Sequence, residues 1–254
     1  GYCTAFPKAM RMRPGSSSPT GACGICHSDD GIEWEALPAP TTEWGEVAKG
    51  WMELAGCERI GDKYYLIGGW VGYNGNYGYS AYTFVGDSPL GPFRPDATAY
   101  RLCGSTGMQN SWGVQYLPSF CRGDGEVLIS VPVMCHPNGK EEVWLVPLRK
   151  AVVDGEGHLR MGYWPGNEAA KGAEVTADVN QCVLLSAAPE SSKPYMQADA
   201  GALTLTTARH PSQADHWTVA ALDQDFDLDT GVILEAEITG EMHHTHPHWR
   251  PTAC

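Results

Sequence analysis

Short apolar runs recur along the chain and are broken each time by Gly, Pro, Asp or Asn. The clearest are Lys63-Tyr64-Tyr65-Leu66-Ile67-Gly68, Ser80-Ala81-Tyr82-Thr83-Phe84-Val85, Glu126-Val127-Leu128-Ile129-Ser130-Val131 and Glu142-Val143-Trp144-Leu145-Val146. Further on come Ala202-Leu203-Thr204-Leu205-Thr206, Trp217-Thr218-Val219-Ala220-Ala221 and the run from Val232 to Ile238. Their length, their turn-forming borders and their β-branched and aromatic content predict strands. Almost nothing keeps a helical period beyond two turns, so the pattern predicts an all-β chain.

A shallow internal repeat adds to this. Gly61-Asp62-Lys63-Tyr64-Tyr65-Leu66-Ile67 and Gly123-Asp124-Gly125-Glu126-Val127-Leu128-Ile129 share Gly-Asp, three variable positions and Leu-Ile. Each Gly-Asp is expected to be a tight turn before a buried strand, with an apolar strand ahead of it (Cys57 to Ile60; Val114 to Cys121). Four-strand units at such intervals are how propeller blades look in sequence. In Ser28-Asp29-Asp30-Gly31-Ile32-Glu33-Trp34, an Asp side chain is expected to bond turn amides, Gly to take a positive φ, and Trp34 to fill the gap between sheets. That reading makes Asp29 and Asp30 structural. Beyond Ser186–Pro194, rich in Ala, Pro and Ser, three alternating strands surround the acidic turn Asp223–Gly231, as in an antiparallel sheet with one wet face.

Composition narrows the partners. The 254 residues allow one large domain or one and a half. Seventeen Lys+Arg against thirty Asp+Glu give a formal charge of -13, which repels phosphate backbones and argues against nucleic acid. No run approaches the roughly 18 apolar residues of a membrane helix. The chain opens on Gly1-Tyr2-Cys3-Thr4-Ala5-Phe6, which reads as the middle of a strand, and stops at Cys254 without a closing element. It is expected to be a piece of a longer protein.

The nine cysteines are scattered, as free and mostly buried thiols would be. Cys23-Gly24-Ile25-Cys26-His27 matches a C-x-x-C-H pattern, but its flanks read as a strand, which disfavours haem attachment or redox chemistry. His243-His244-Thr245-His246-Pro247-His248 could hold a metal by composition alone; a loop is the plainer reading, and no metal or other cofactor is expected.

Chemistry concentrates in Trp51-Met52-Glu53-Leu54-Ala55-Gly56-Cys57-Glu58-Arg59-Ile60-Gly61-Asp62-Lys63-Tyr64-Tyr65-Leu66. This segment resembles the five-bladed propeller glycosidases of glycoside hydrolase families 32 and 43, in which a catalytic Glu opens a strand, a Gly-containing hairpin follows and a Tyr-Tyr-Leu strand returns. Asp87-Ser88-Pro89-Leu90-Gly91-Pro92-Phe93 is similar to a blade turn of that group. Trp112 to Pro118 and Asp225 to Glu237 look like later parts of family 32, the latter like its C-terminal sandwich. The resemblance implies a partial five-bladed β-propeller over residues 1–190, the start of a C-terminal β-sandwich over 191–254, and hydrolysis of furanosidic bonds, β-fructosides first and arabinosides or xylosides next. It assigns Glu53 as general acid, with the nucleophile Asp outside this chain. Leu54-Ala55 stand where family 32 has Cys-Pro, and its Asn-Asp-Pro-Asn-Gly and Arg-Asp-Pro motifs are absent from residues 1–52.

Cleavage of a glycoside needs an acid for the leaving oxygen and a second carboxylate across the ring. Glu58 competes for the acid role; in an extended strand its odd offset from Glu53 puts the two on opposite faces, so that at most one meets a ligand. Trp70-Val71-Gly72-Tyr73-Asn74-Gly75-Asn76-Tyr77-Gly78-Tyr79 reads as a Gly/aromatic loop. Trp70 and Tyr73, with Trp112, are its candidates for stacking on an oligo- or polysaccharide; blade-edge packing is the alternative. A carbohydrate-binding propeller without catalysis is the second functional reading. The acidic, aromatic composition suits a secreted or periplasmic sugar protein.

Overall fold

The computed structural model describes residues 1–5, 22–45, 52–71, 79–97, 100–104, 113–135, 140, 142–175, 177–186, 195–199, 201–206, 218–226 and 233. Among them, strands dominate, joined by the short 3-10 turns Pro165–Ala170 and Val179–Gln181. The protein is all-β.

Residues Gly1–Asn167 belong to one compact unit, built from three successive antiparallel meanders. The first joins β1 (Tyr2–Ala5), β2 (Ala22–His27) and β3 (Glu35–Leu37). The second joins β4 (Glu53–Ile60), β5 (Lys63–Val71) and β6 (Tyr79–Gly86), with β7 (Arg94–Pro95) and β8 (Arg101–Gly104) both on β6. The third comprises β9 (Gly113–Gln115), β10 (Ser119–Gly123), β11 (Glu126–Ser130), β12 (Pro132–Cys135), β13 (Glu142–Leu145), β14 (Arg149–Val153) and β15 (Leu159–Gly162). It is split into sheets β13-β12-β9 and β10-β11-β14-β15. The breaks at 116–118, 131 and 146–148 fall at one level, so each pair of half-strands continues one line of the meander. The first strands of the three meanders adjoin, with β1 beside β4 and β4 beside β10.

The second meander is apolar on both faces because it is covered on both faces. Alternate side chains point to opposite sides of a strand. Leu66, Tyr82 and Phe84 therefore join Cys23, Met52, Phe93 and Tyr100 in one core, with Tyr2 and Trp44 packed on it. Their neighbours Tyr65, Ile67 and Ala81 join Cys103, Ile129, Val131, Ala151 and Leu159 in another. Leu66, Ile67, Phe84 and Phe93 are each 0% exposed, and burying each stabilises the stack by about 1.5–3 kcal/mol. This double burial is why Tyr64–Ile67 and Ala81–Val85 read as continuous apolar runs.

Polar groups tie the meanders together. The buried Tyr65 donates its hydroxyl to the Gly157 carbonyl at 2.7 Å. Asp96, also buried, accepts from Leu159 N at 2.8 Å and Thr83 Oγ1 at 3.2 Å, and faces His158 Nδ1 at 3.3 Å. The turn Asp87–Phe93 reaches back to the segment between β3 and β4: Phe93 N donates to Thr41 O and Glu43 N to Phe93 O, both at 2.8 Å.

The two Gly-Asp repeats form different turns. Ile60 pairs with Lys63, so Gly61-Asp62 is the loop, with Gly61 alone at positive φ (64°). In the second, Gly123 pairs with Glu126, which moves the loop to Asp124-Gly125, with both residues at positive φ (53° and 78°). These are the type II′ and type I′ solutions for a two-residue hairpin, so the repeat is one residue out of step at its turn. Asp30 caps its turn as expected: Oδ1 accepts from Ile32 N at 2.8 Å and Glu33 N at 2.9 Å, and Gly31 has φ 75°. Trp34 does not fill a gap between sheets. It is 55% exposed, because its indole N–H turns back to the Gly31 carbonyl at 3.2 Å.

Glu168–Ala236 forms a second compact unit. There β16 (Cys182–Ser186) pairs antiparallel with β19 (Thr218–Leu222), and β17 (Tyr195–Asp199) with β18 (Ala202–Thr206). The expected strand 232–238 lies outside the described residues apart from Ile233.

Candidate functional site

Glu53 is the first residue of β4 and pairs with Gly69 of β5; Gly69 pairs in turn with Ala81 of β6. Two residues before Ala81 stands Tyr79, buried, on the same face of the sheet. Its side chain lies back over Gly69: a Cβ there would stand 1.6 Å from the Tyr79 hydroxyl and 2.2 Å from Cζ. The missing Gly69 side chain is thus the space the phenol occupies, directly across from Glu53. A glycine inside a strand marks this kind of close approach.

Tyr116 completes the group from the break between β9 and β10. Its ring centroid is 4.8 Å from that of Tyr79, with the planes 43° apart. Its backbone N–H is held by the Pro132 carbonyl at 2.9 Å. Glu53 is half-buried, and its Oε2 is enclosed with no hydrogen-bond partner among the described residues. Burial pushes the Tyr79 phenol far above its ordinary value, and the nearby charge of Glu53 pushes it further. Tyr116 is raised by burial, then by a hydrogen bond to Glu53 and by its charge. A negative charge beside a phenol makes it harder to ionise.

The strand places Glu53 and Glu58 differently from the expected alternation. Leu54 pairs with Gly68 and Gly56 with Ile67, so a β-bulge at Ala55 inserts one residue. Glu53 opposes Gly69 and Glu58 opposes Tyr65, an even spacing on β5, so the two carboxylates share a face. What separates them is partnership. Glu58 Oε1 lies 2.5 Å from Arg122 Nη2 of β10, in an ion pair whose Arg is 62% exposed. Glu53 stands beside the two phenols instead.

Of the expected sugar-stacking residues, Trp70 sits in β5, paired with Ser80, but nothing of its side chain is described. Tyr73, Trp112 and the His243–His248 cluster lie outside the described residues. Among the described residues no group of three His, Cys, Asp or Glu side chains is gathered to hold a metal ion. The C-x-x-C-H segment is strand β2, as read from its flanks. Burial raises the Cys23 and Cys57 thiols to about 12, which keeps them protonated. In the second unit, Asp178, Gln181, Leu222, Asp223 and Gln224 line a cavity of about 230 Å³.

Sequence reading missed Tyr79 and Tyr116 as neighbours of Glu53. The available signal was the Gly68-Gly69 pair inside an otherwise apolar strand.

The described residues therefore define an all-β protein of stacked antiparallel meanders, with a phenol-walled carboxylate at the start of one first strand. The sequence matches no protein-family profile and no curated protein. Among solved structures it is similar to a levansucrase variant from B. megaterium, at 15% identity and a TM-score of 0.40, over 56% of this chain and 33% of that one. It is also similar to an exo-1,5-alpha-L-arabinanase from a bovine ruminal metagenomic library, at 15% identity and a TM-score of 0.37, over 57% of this chain and 51% of that one. The chain thus spans 33% and 51% of the length of these two structures.

Proposed function

We propose that the chain is part of a glycoside hydrolase acting on furanosidic bonds of an oligo- or polysaccharide, β-fructosides first, with Glu53 as general acid. The observation that carries this reading is the enclosed Glu53 carboxyl at the start of β4, with Oε2 unpartnered among the described residues. It stands in the segment whose residues resemble the acid-bearing strand of the propeller glycosidases. Residues 1–190 would then be propeller blades and 191–254 the start of a C-terminal sandwich.

In this reading Glu53 gives its proton to the glycosidic oxygen as the bond to the furanose breaks, and the alcohol departs neutral. A second carboxylate, from a part of the protein not described here, attacks the anomeric carbon or activates water. Trp70, Tyr73 and Trp112 offer faces for the sugar.

The aromatic wall that the rings of Tyr79 and Tyr116 form here also suits a second reading, sugar binding without cleavage. One comparison separates the two. Glu53→Gln in the complete protein is expected to cut hydrolysis of sucrose or of an arabinofuranoside about 100-fold or more while calorimetric sugar binding survives. Binding without any hydrolysis by the unaltered protein, weakened by Trp70→Ala, supports the binding module instead.

A further inference from the structure

We propose that the open edge of strand β13 is a docking surface for a second copy of this chain, the two β13 strands pairing antiparallel about a twofold axis. The proposal is independent of the glycosidase reading. It starts from the unequal cover of two meanders. The third strand of the second meander, β6, is paired along both of its halves, with β7 beside Phe84-Val85 and β8 beside Ser80–Tyr82. The third line of the next meander, β13 followed by β14, is paired with β15 on its β14 half alone. β13 ends its sheet, and among the described residues no strand pairs with its other edge.

Natural sheet edges are blunted by charge, Pro or a bulge, because an open ladder is a template for another strand. Val143-Trp144-Leu145 has none of these. The three side chains alternate over both faces of the strand and are 61%, 51% and 81% exposed. The indole N–H of Trp144 already has a partner in its own strand, Glu142 Oε2 at 3.0 Å, so an incoming strand need offer this ring only apolar surface. A copy of β13 offers it. With Trp144 opposite its counterpart in the second copy, Val143 meets Leu145 and Leu145 meets Val143, which is the reciprocity a twofold axis requires. Glu142 then faces Val146, so no like charges oppose each other, and Pro147, which has no N–H, ends the ladder. Each exposed apolar side chain finds an apolar partner, and none calls for a charged ligand. Two copies of formal charge -13 repel at long range, so the pair should tighten as salt screens them.

The ladder Glu142–Val146 is a small contact beside the roughly 20–30 residues a side of a standard interface. A weak dimer is therefore expected, dissociating at about 10–100 μM. Sedimentation velocity of the complete protein across that range, at low and high salt, tests this together with Leu145→Lys and Val143→Lys. Both positions are exposed, so the variants should fold, which circular dichroism checks. The expected result is a monomer–dimer equilibrium that tightens with salt and weakens at least about tenfold in each Lys variant. Hydrogen exchange of the 142–146 amides in the unaltered protein should slow as the dimer forms. A monomer at every concentration overturns the proposal, as does a dimer indifferent to both Lys variants or one that loosens with salt. Amides already protected in the monomer also overturn it, since another segment of the chain then covers the edge. None of these outcomes touches the role of Glu53, which Glu53→Gln tests separately.

Discussion

The hydroxyl of Tyr79 stands where a side chain on Gly69 would begin, 1.6 Å from the position of its Cβ. Strand β5 is packed on both faces there, so the ring has little room to retreat. Gly69→Ala is expected to destabilise the fold by about 2–4 kcal/mol, as overpacking and a displaced phenol together would. Tyr79→Phe removes only the hydroxyl and leaves Cζ 2.2 Å from the new methyl, so it should not rescue. Tyr79→Ala should. Denaturant unfolding of the double-mutant cycle checks this: a coupling near zero between Gly69→Ala and Tyr79→Ala contradicts the packing described.

Glu58 and Glu53 lie on one face of β4, yet only Glu53 meets the phenols. Glu58→Gln is expected to leave turnover within about twofold and to cost about 0–1 kcal/mol of stability, the usual range for an ion pair with an exposed Arg. Kinetics and thermal unfolding of this variant decide between the two carboxylates. A large loss of turnover here would move the acid role from Glu53 to Glu58.

Asp96 gives the fold a pH dependence of its own. Burial raises its carboxyl above the ordinary value, against the lowering effects of Leu159 N, His158 and Thr83. The unfolded chain therefore releases this proton at lower pH than the folded one. Stability from this group is full below pH about 4 and is lost as pH rises through the folded value. Asp30, Asp87, Asp154 and Asp178 are lowered and have the opposite sign, contributing stability that disappears as pH falls. Unfolding free energies of the unaltered protein and Asp96→Asn, measured from pH 3 upward, should not run parallel, the advantage of Asp96 shrinking as pH rises. Parallel curves would contradict the assignment.

The strands were legible because the fold buries their apolar runs. Leu66-Ile67 and Leu128-Ile129 are inside, and the hairpin before each was announced by Gly and Asp. Register was less legible. The bulge at Ala55 follows no composition signal strong enough to reverse the alternation rule, and it alone moves Glu58 onto the face of Glu53. The second Gly-Asp turn slipped by one residue because Asp124-Gly125 supplies two positive-φ positions where Gly61-Asp62 supplies one. Trp34 was read as buried from its motif, but the capped turn holds its indole outward. Tyr79 ends the Gly/aromatic segment that reads as a loop in the sequence. Its burial depends on Gly69, ten residues earlier in sequence and its diagonal neighbour in the sheet only once β5 and β6 are paired.

The proposed role of Glu53, a proton given to a leaving oxygen, matters most where the leaving group is least acidic. Turnover of aryl furanosides with leaving groups of graded acidity, by the complete protein and its Glu53→Gln variant, tests this most directly. The variant is expected to lose about 100- to 10,000-fold on the least acidic leaving groups and little on the most acidic, which depart without a proton. A loss of equal size across the series, or no loss at all, would contradict it.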